Sequence, residues 1–122
     1  MPITYQIDTV RRVVFSRGYG TVTDKELLQY NNILKTDPNF NPSFNQLFDF
    51  SEANETEIKL EAIYRMAGDR VFNLSSLRAY VVTLGLQYGL ARMFQILREP
   101  RDKNIRVFMD IAEAKRWLGL PD

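Results

Sequence analysis

The chain is predicted to fold as an α/β domain, a mixed and mostly parallel five-stranded sheet with four helices in the order β-β-α-β-α-β-α-β-α. Three observations predict it. The segment Leu77 to Leu120 reads strand, helix, strand, helix, each element bounded by its own stop signal. The run Ala79-Tyr80-Val81-Val82 is apolar on both faces, as an interior strand covered on both sides should be. Strands then alternate with helices along the chain, which implies right-handed crossovers and parallel pairing.

Each element has a local reason. Thr4 to Asp8 and Arg11 to Arg17 are short strands joined at Asp8-Thr9-Val10, and strands this close pair as an antiparallel hairpin. Gly18-Tyr19-Gly20 is expected to break the second strand. Thr23-Asp24-Lys25-Glu26 is a capping box, so a helix runs from Asp24 to Lys35 with Leu27, Tyr30, Asn31 and Leu34 on one face. Asp37-Pro38 ends it. Phe40 and Phe44 are expected to plug the following loop. Gln46 to Phe50 reads as a central strand and Ser51 to Thr56 as a polar connection. A second helix covers Lys59 to Ala67, with Leu60, Ile63, Tyr64 and Ala67 facing inward.

Leu77 to Thr83 is the fourth strand. Leu86, Leu90, Met93, Phe94 and Leu97 form an apolar stripe on a helix from Leu86 to Arg98, stopped by Pro100 and the turn Arg101-Asp102-Lys103-Asn104. Ile105 to Phe108 is the fifth strand. Asp110 caps the last helix, with Glu113 expected to complete a second capping box. Ile111, Ala114 and Leu118 face inward, Trp117 locks the helix onto the sheet, and Gly119 with Pro121 terminates it. No repeat or linker divides the chain, so residues 1–122 are expected to form one domain.

Composition narrows the chemistry. The chain has 122 residues, enough for a real core, and is 45% hydrophobic and 25% charged. Sixteen basic against 15 acidic residues leave a net charge of +1, too little surplus for nucleic-acid binding to be the main task. There are no cysteines and no histidines. That removes disulfides, thiolate catalysis, zinc–thiolate sites, Ser-His-Asp catalysis and the usual neutral-pH base. No cofactor, metal or catalytic set is expected. No signal-peptide pattern or spanning segment is seen, so no stable membrane insertion and a cytoplasmic location are expected.

Three groups have chemistry to spare. Gly18-Tyr19-Gly20-Thr21 sits where a phosphate loop would, yet it fails the GxGxxG pattern, and a two-glycine turn is the simpler reading. Asp49 and Glu52 lie at the carboxyl end of a predicted parallel strand, where α/β sheets bind ligands, although strand ends are routinely acidic. Tyr88 and Arg92 are one turn apart, off the apolar stripe. They could frame a small anionic pocket, pack at the sheet edge, or anchor a partner.

The residues Gly18-Tyr19-Gly20-Thr21-Val22-Thr23-Asp24, Asp37-Pro38-Asn39-Phe40, Phe44-Asn45-Gln46-Leu47-Phe48-Asp49, Tyr88-Gly89-Leu90-Ala91-Arg92-Met93, Val107-Phe108 and Asp110-Ile111-Ala112-Glu113-Ala114 together carry a resemblance. The chain resembles the SpoIIAA-like branch of the STAS superfamily, the fold of bacterial anti-sigma-factor antagonists, and within it a group of small bacterial STAS/SEC14-like proteins. The resemblance, with the missing histidine and cysteine, implies a bacterial, non-enzymatic regulatory module acting through a protein partner; separately, symmetric dimers are the commonest oligomers, so a homodimer is the self-association to expect. Its SEC14-like side implies the alternative of a small-ligand or lipid carrier. In the antagonists a serine at the start of helix two is phosphorylated. The matching stretch here, Asn54 to Leu60, has no serine, and a phosphate on Thr56 would meet Glu55 and Glu57. The resemblance therefore implies a module without the phospho-serine switch. Asp49, Glu52, Tyr88, Arg92 and Tyr19 are the candidate partner- or ligand-binding residues.

Overall fold

A computed structural model describes residues 2–83, 85–98 and 102–121. It contains β1 (Ile3–Asp8), β2 (Val13–Thr23), α1 (Asp24–Thr36), β3 (Asn45–Glu57), α2 (Leu60–Gly68), β4 (Arg78–Val81), α3 (Leu86–Arg98), β5 (Ile105–Phe108) and α4 (Ile111–Trp117). The element order is the expected one. The sheet order is β1-β2-β3-β4-β5, with β1 antiparallel to β2 and every later pair parallel.

That order has a consequence for layering. Each crossover from β2 to β5 steps to the next strand in the same direction. Right-handed connections that all step one way place their helices on one face. Tyr30 and Leu34 of α1, Ile63 and Met66 of α2, and Leu90 and Phe94 of α3 accordingly share a core with Val14, Phe48 and Tyr80. The opposite face is closed by α4, through Ala114 and Leu118 against Leu47, Ala79, Val81 and Phe108. Trp117 packs on Phe108 at 5.7 Å, and Arg106 lies over both rings.

Several local expectations are corrected. Gly18-Tyr19-Gly20 does not end β2. The strand runs on to Thr23, absorbing register shifts between Arg17 and Tyr19 and between Gly20 and Thr21. Gly20 takes φ +56, and a Cβ on Gly18 would sit 3.2 Å from Val22 and 3.3 Å from Phe50, so the glycines serve a bulge and a close approach. Ser51 to Thr56 is strand rather than connection, because the lengthened β2 offers it backbone partners as far as Glu57. The first hairpin connection reaches Arg12, which adopts φ 61, while Asp8 Oδ1 accepts the Val10 and Arg11 amides. β4 is shorter than expected, since only Arg78 to Val81 find ladder partners on both neighbours.

Helix faces also shift. In α2 the buried residues are Ala62, Ile63 and Met66, and Tyr64 is 59% exposed, because α2 turns its inner face toward α3 as well as the sheet. Met93 and Ile111 are exposed rather than core. The inward placements expected of Leu60 and Leu86, and the stop expected at Pro100 and Arg101, fall outside the described side chains and residues. The α1 capping box forms as read: Thr23 Oγ1 accepts the Glu26 amide and Glu26 Oε1 accepts the Thr23 amide at 3.0 Å. At α4, Asp110 caps alone, accepting from the Ala112 amide at 2.9 Å. Gly119 at φ +74 closes that helix, with its amide on Arg116 O and the Leu120 amide on Lys115 O.

Candidate ligand-binding cavity

The face under α1, α2 and α3 is not completely filled. Strand alternation points Gln46, Phe48 and Phe50 of β3, and Arg78 and Tyr80 of β4, toward these helices. Between them and the helices lies a cavity of about 120 Å³, roofed by Leu27 and Tyr30 of α1, Ile63 and Met66 of α2, and Leu90, Ala91 and Phe94 of α3. Its floor is aromatic. Phe48 stacks on Phe50 at 4.2 Å, meets Tyr30 edge-on at 5.0 Å, and Tyr80 meets Phe94 edge-on at 5.8 Å.

Two polar groups interrupt this apolar wall. One centres on Tyr30. Its hydroxyl shares a 2.5 Å hydrogen bond with Ser16 Oγ and accepts from Gln46 Nε2 at 2.9 Å. Burial raises the Tyr30 phenol well above its ordinary range, so it stays neutral. Gln46 is 3% exposed, and its Oε1 is buried with no hydrogen-bond partner among the described residues. Unpaired buried acceptors are rare and costly.

The other group is ionic. Arg78 donates from Nη1 and Nη2 to the two oxygens of Asp102 at 2.6 and 2.5 Å, and from Nε to Ser76 O. Arg98 donates to Asp102 from Nε and Nη2, and from Nη1 to the carbonyls of Ala67 and Asp69. All three side chains are at least nine-tenths buried. Burial alone would raise the Asp102 pKa, but the Arg78 hydrogen bond and charge, the Asn104 amide and Arg98 outweigh it and hold the carboxyl below its usual range. Desolvation pushes the Tyr80 phenol up to about 12, even though Arg78 and Arg98 act against it.

The residues singled out in the sequence lie elsewhere. Arg17 bridges two of them: its guanidinium lies over the Tyr19 ring at 5.2 Å and donates to Glu52 at 2.8 Å. Asp49 is the register partner of Arg17, and its Oδ1 accepts the Ser51 amide. Tyr19, Asp49 and Glu52 thus gather on the β2–β3 pair, the two carboxylates inside β3 rather than at its carboxyl end, because the strand runs on to Glu57. Tyr88 and Arg92 stand apart on α3. Tyr88 is 39% exposed, and Arg92 donates to Gln95, which in turn donates to Ile105 O. None of the five lines the cavity. Sequence reading missed Gln46, Arg78, Arg98 and Asp102 as a set. A signal existed: Arg78 is a charge inside an otherwise apolar strand run, and such a charge must be paired if buried.

With this geometry established, the chain can be compared with known proteins. It aligns with the crystal structure of an uncharacterized protein of the DUF3478 family, with a SpoIIAA-like fold, from Shewanella loihica PV-4. The alignment has a TM-score of 0.61 at 18% identity and covers 95% of this chain and 93% of that one. The fold is SpoIIAA-like. No family profile and no curated protein matches the sequence. The SpoIIAA-like frame accounts for the mixed sheet and the four helices. Among the described residues no helix is long and apolar enough to cross a membrane.

Proposed function

We propose that this SpoIIAA-like domain is a non-enzymatic small-ligand-binding module whose ligand enters the cavity between the sheet and α1–α3. The preformed apolar cavity carries the reading: Phe48, Phe50, Leu90 and Phe94 are among the residues that surround about 120 Å³ of unfilled space, the kind of concave, mostly apolar site that holds small molecules. The wall is suited to holding a molecule rather than transforming it. Its phenols, Tyr30 and Tyr80, stay protonated near neutral pH, and Asp102 is held ionised by two guanidinium groups.

Ala91 lies on the roof and is only partly buried, so a larger side chain there can swing into the void. Ala91→Phe is expected to weaken binding of an apolar probe such as benzene at least tenfold, on the order of the filled volume's worth of contacts, with little loss of stability. Ligand-observed NMR measures the first and thermal unfolding the second. Unchanged benzene binding in a folded variant would count against the cavity as the site.

A second reading, association with a protein through α3, is favoured by one observation. Tyr88, Arg92 and Ile96 recur at helical spacing on its outer side, Ile96 is 56% exposed and Met93 beside them is 37% exposed. A second copy of the chain is the simplest partner. Sedimentation velocity is expected to show an associated wild type and a monomeric Ile96→Glu variant with an unchanged unfolding temperature. A wild type that sediments as a monomer across the accessible concentrations removes self-association through this stripe.

A further inference from the structure

We infer that the outer edge of β5 is a self-association surface, on which β5 of a second copy of the chain pairs antiparallel about a two-fold axis at Val107. This rests on the self-association reading above and adds the strand, the register and the residues that carry it.

Backbone hydrogen bonding sets the register. β5 is an edge strand of the sheet. Its Asn104-side and Phe108 carbonyls face inward: Asn104 O accepts the Arg78 amide and Phe108 O the Val82 amide, both at 2.8 Å. Alternation then turns the N–H and C=O groups of Ile105 and Val107 outward. Gln95 of α3 already donates to Ile105 O at 2.6 Å. The Ile105 amide and both Val107 groups have no partner among the described residues. Such an edge is completed by another extended strand. A two-fold axis perpendicular to the sheet keeps like faces together. Centred on Val107, it lets the two Val107 residues exchange both of their outward hydrogen bonds and makes no demand on the occupied Ile105 carbonyl.

The side chains beside this edge suit the same arrangement. The Gln95 contact shows which side of α3 borders β5, and Tyr88, two turns earlier, shares that side. α3 runs back toward the amino end of β5, so Tyr88 stands near the carboxyl end of that strand. Tyr88 is 39% exposed and Met109, just past the strand, is 57% exposed. The Val107 register lays Ile105 of the second copy opposite Met109, which covers this apolar ground.

Charge favours a second copy over an arbitrary strand. Antiparallel pairing lays the amino end of one β5 along the carboxyl end of the other. The amino half carries Lys103 and Arg106, and the carboxyl end leads into Asp110 and Glu113, all four exposed. Asp110 is still extended, at φ -132 and ψ 121, so it continues the line of the strand. The register sets Arg106 opposite Phe108 of the second copy, with Asp110 of that copy two residues further on the same face, within reach of a long side chain. Symmetry makes this attraction twice. The two Arg106 groups are each drawn over Phe108 and Trp117 of their own copy, at 5.3 and 5.7 Å.

Sedimentation velocity of the full chain and of Val107→Pro tests the pairing. The Val107 amide bonds nothing in the ladder with β4, so proline removes the central donors and leaves that ladder intact. The variant, checked for native circular dichroism, is expected to associate at least about tenfold more weakly, the scale of the hydrogen bonds lost. The chain has no cysteine, so a nitroxide on Met109→Cys gives a second readout that does not depend on the proline variant folding. The register places the two labelled Cα atoms four residues of strand rise apart, about 14 Å. Dipolar broadening that vanishes on dilution with unlabelled chain is expected. A folded Val107→Pro that associates like the wild type, or an associated chain without broadening at position 109, overturns the β5 pairing and leaves self-association through α3 standing. A wild type that is monomeric at every accessible concentration overturns both.

Discussion

Asp102→Ala is expected to destabilise the fold by about 3–5 kcal/mol, the cost of breaking a buried ion pair from one side. The carboxylate is 2% exposed and receives four hydrogen bonds from two guanidinium groups, which would then sit close together without a counter-charge. The effect has a defined pH dependence. Asp102 has a native pKa below its unfolded value of about 3.9. Its stabilisation is therefore complete above that unfolded value and is lost as pH falls through the native one. Urea unfolding of wild type and variant should show the full gap at pH 7 and a shrinking gap in acid. A gap below about 1 kcal/mol at pH 7, the scale of a surface pair, would show that the triad is not functioning as a buried unit. Replacing all three members with apolar residues is expected to restore much of the stability, because the pair's desolvation cost disappears with it.

Phe48→Ala is expected to cost a similar amount, about 3–5 kcal/mol. Phe48 is 3% exposed and is the ring on which Phe50, Tyr30 and Tyr80 converge. It also floors the cavity, so its removal enlarges a space that already exists. Structure around an existing void has less to collapse with, which places the cost toward the upper part of the range. Denaturant midpoints at constant slope measure it, and benzene at saturating concentration should return part of the loss by mass action. A loss under about 1 kcal/mol would mean that α1–α3 settle onto the sheet and close the cavity, contrary to a preformed site.

How much of this was legible in the residues differs by level. The helix from Leu86 to Arg98 and the strand from Ile105 to Phe108 match their expected bounds. Both have strong periodicity or clear flanking breakers. The extent of β2 and β3 was not legible. Gly18-Tyr19-Gly20 and the polar run after Phe50 look like breaks locally, and only the partner strand reveals them as a bulged ladder reaching Thr23 and Glu57. Propensity is overridden where a neighbour supplies backbone hydrogen bonds. Tyr64 and Ile111 were assigned inward because periodicity fixes an apolar arc. It does not fix the rotation of that arc, which for α2 is set by packing against α3 and for α4 by the seating of Ala114 and Leu118 on the sheet.

The candidate site was less legible than the fold. Asp49, Glu52, Tyr88, Arg92 and Tyr19 stand out in the sequence as polar groups at strand ends and helix faces; Tyr19, Asp49 and Glu52 fall inside the lengthened β2 and β3, Tyr88 and Arg92 on α3, and all five outside the cavity. The groups that shape the cavity wall come from distant parts of the chain. Gln46, Arg78, Arg98 and Asp102 sit on β3, on β4, at the end of α3 and shortly before β5. Each alone reads as an ordinary polar residue, and only long-range contacts make a buried cluster of them.

By itself, the sequence determined the class of the fold: the element order, the capping box at Thr23, the interior strand around Ala79 to Val81 and the exclusion of histidine and cysteine chemistry. These follow from short-range periodicity, caps and composition, which act within one element. Tertiary structure decided where three helices fall on one sheet face, how far β2 and β3 extend, and that one face keeps a cavity beside an excess of buried positive charge. Those outcomes depend on handed crossovers and on side chains meeting across 24 to 34 residues of chain, as Arg78 meets Asp102 and Gln87 meets Ala53. No local pattern encodes such meetings, because the energy that fixes them exists only once the layers have packed.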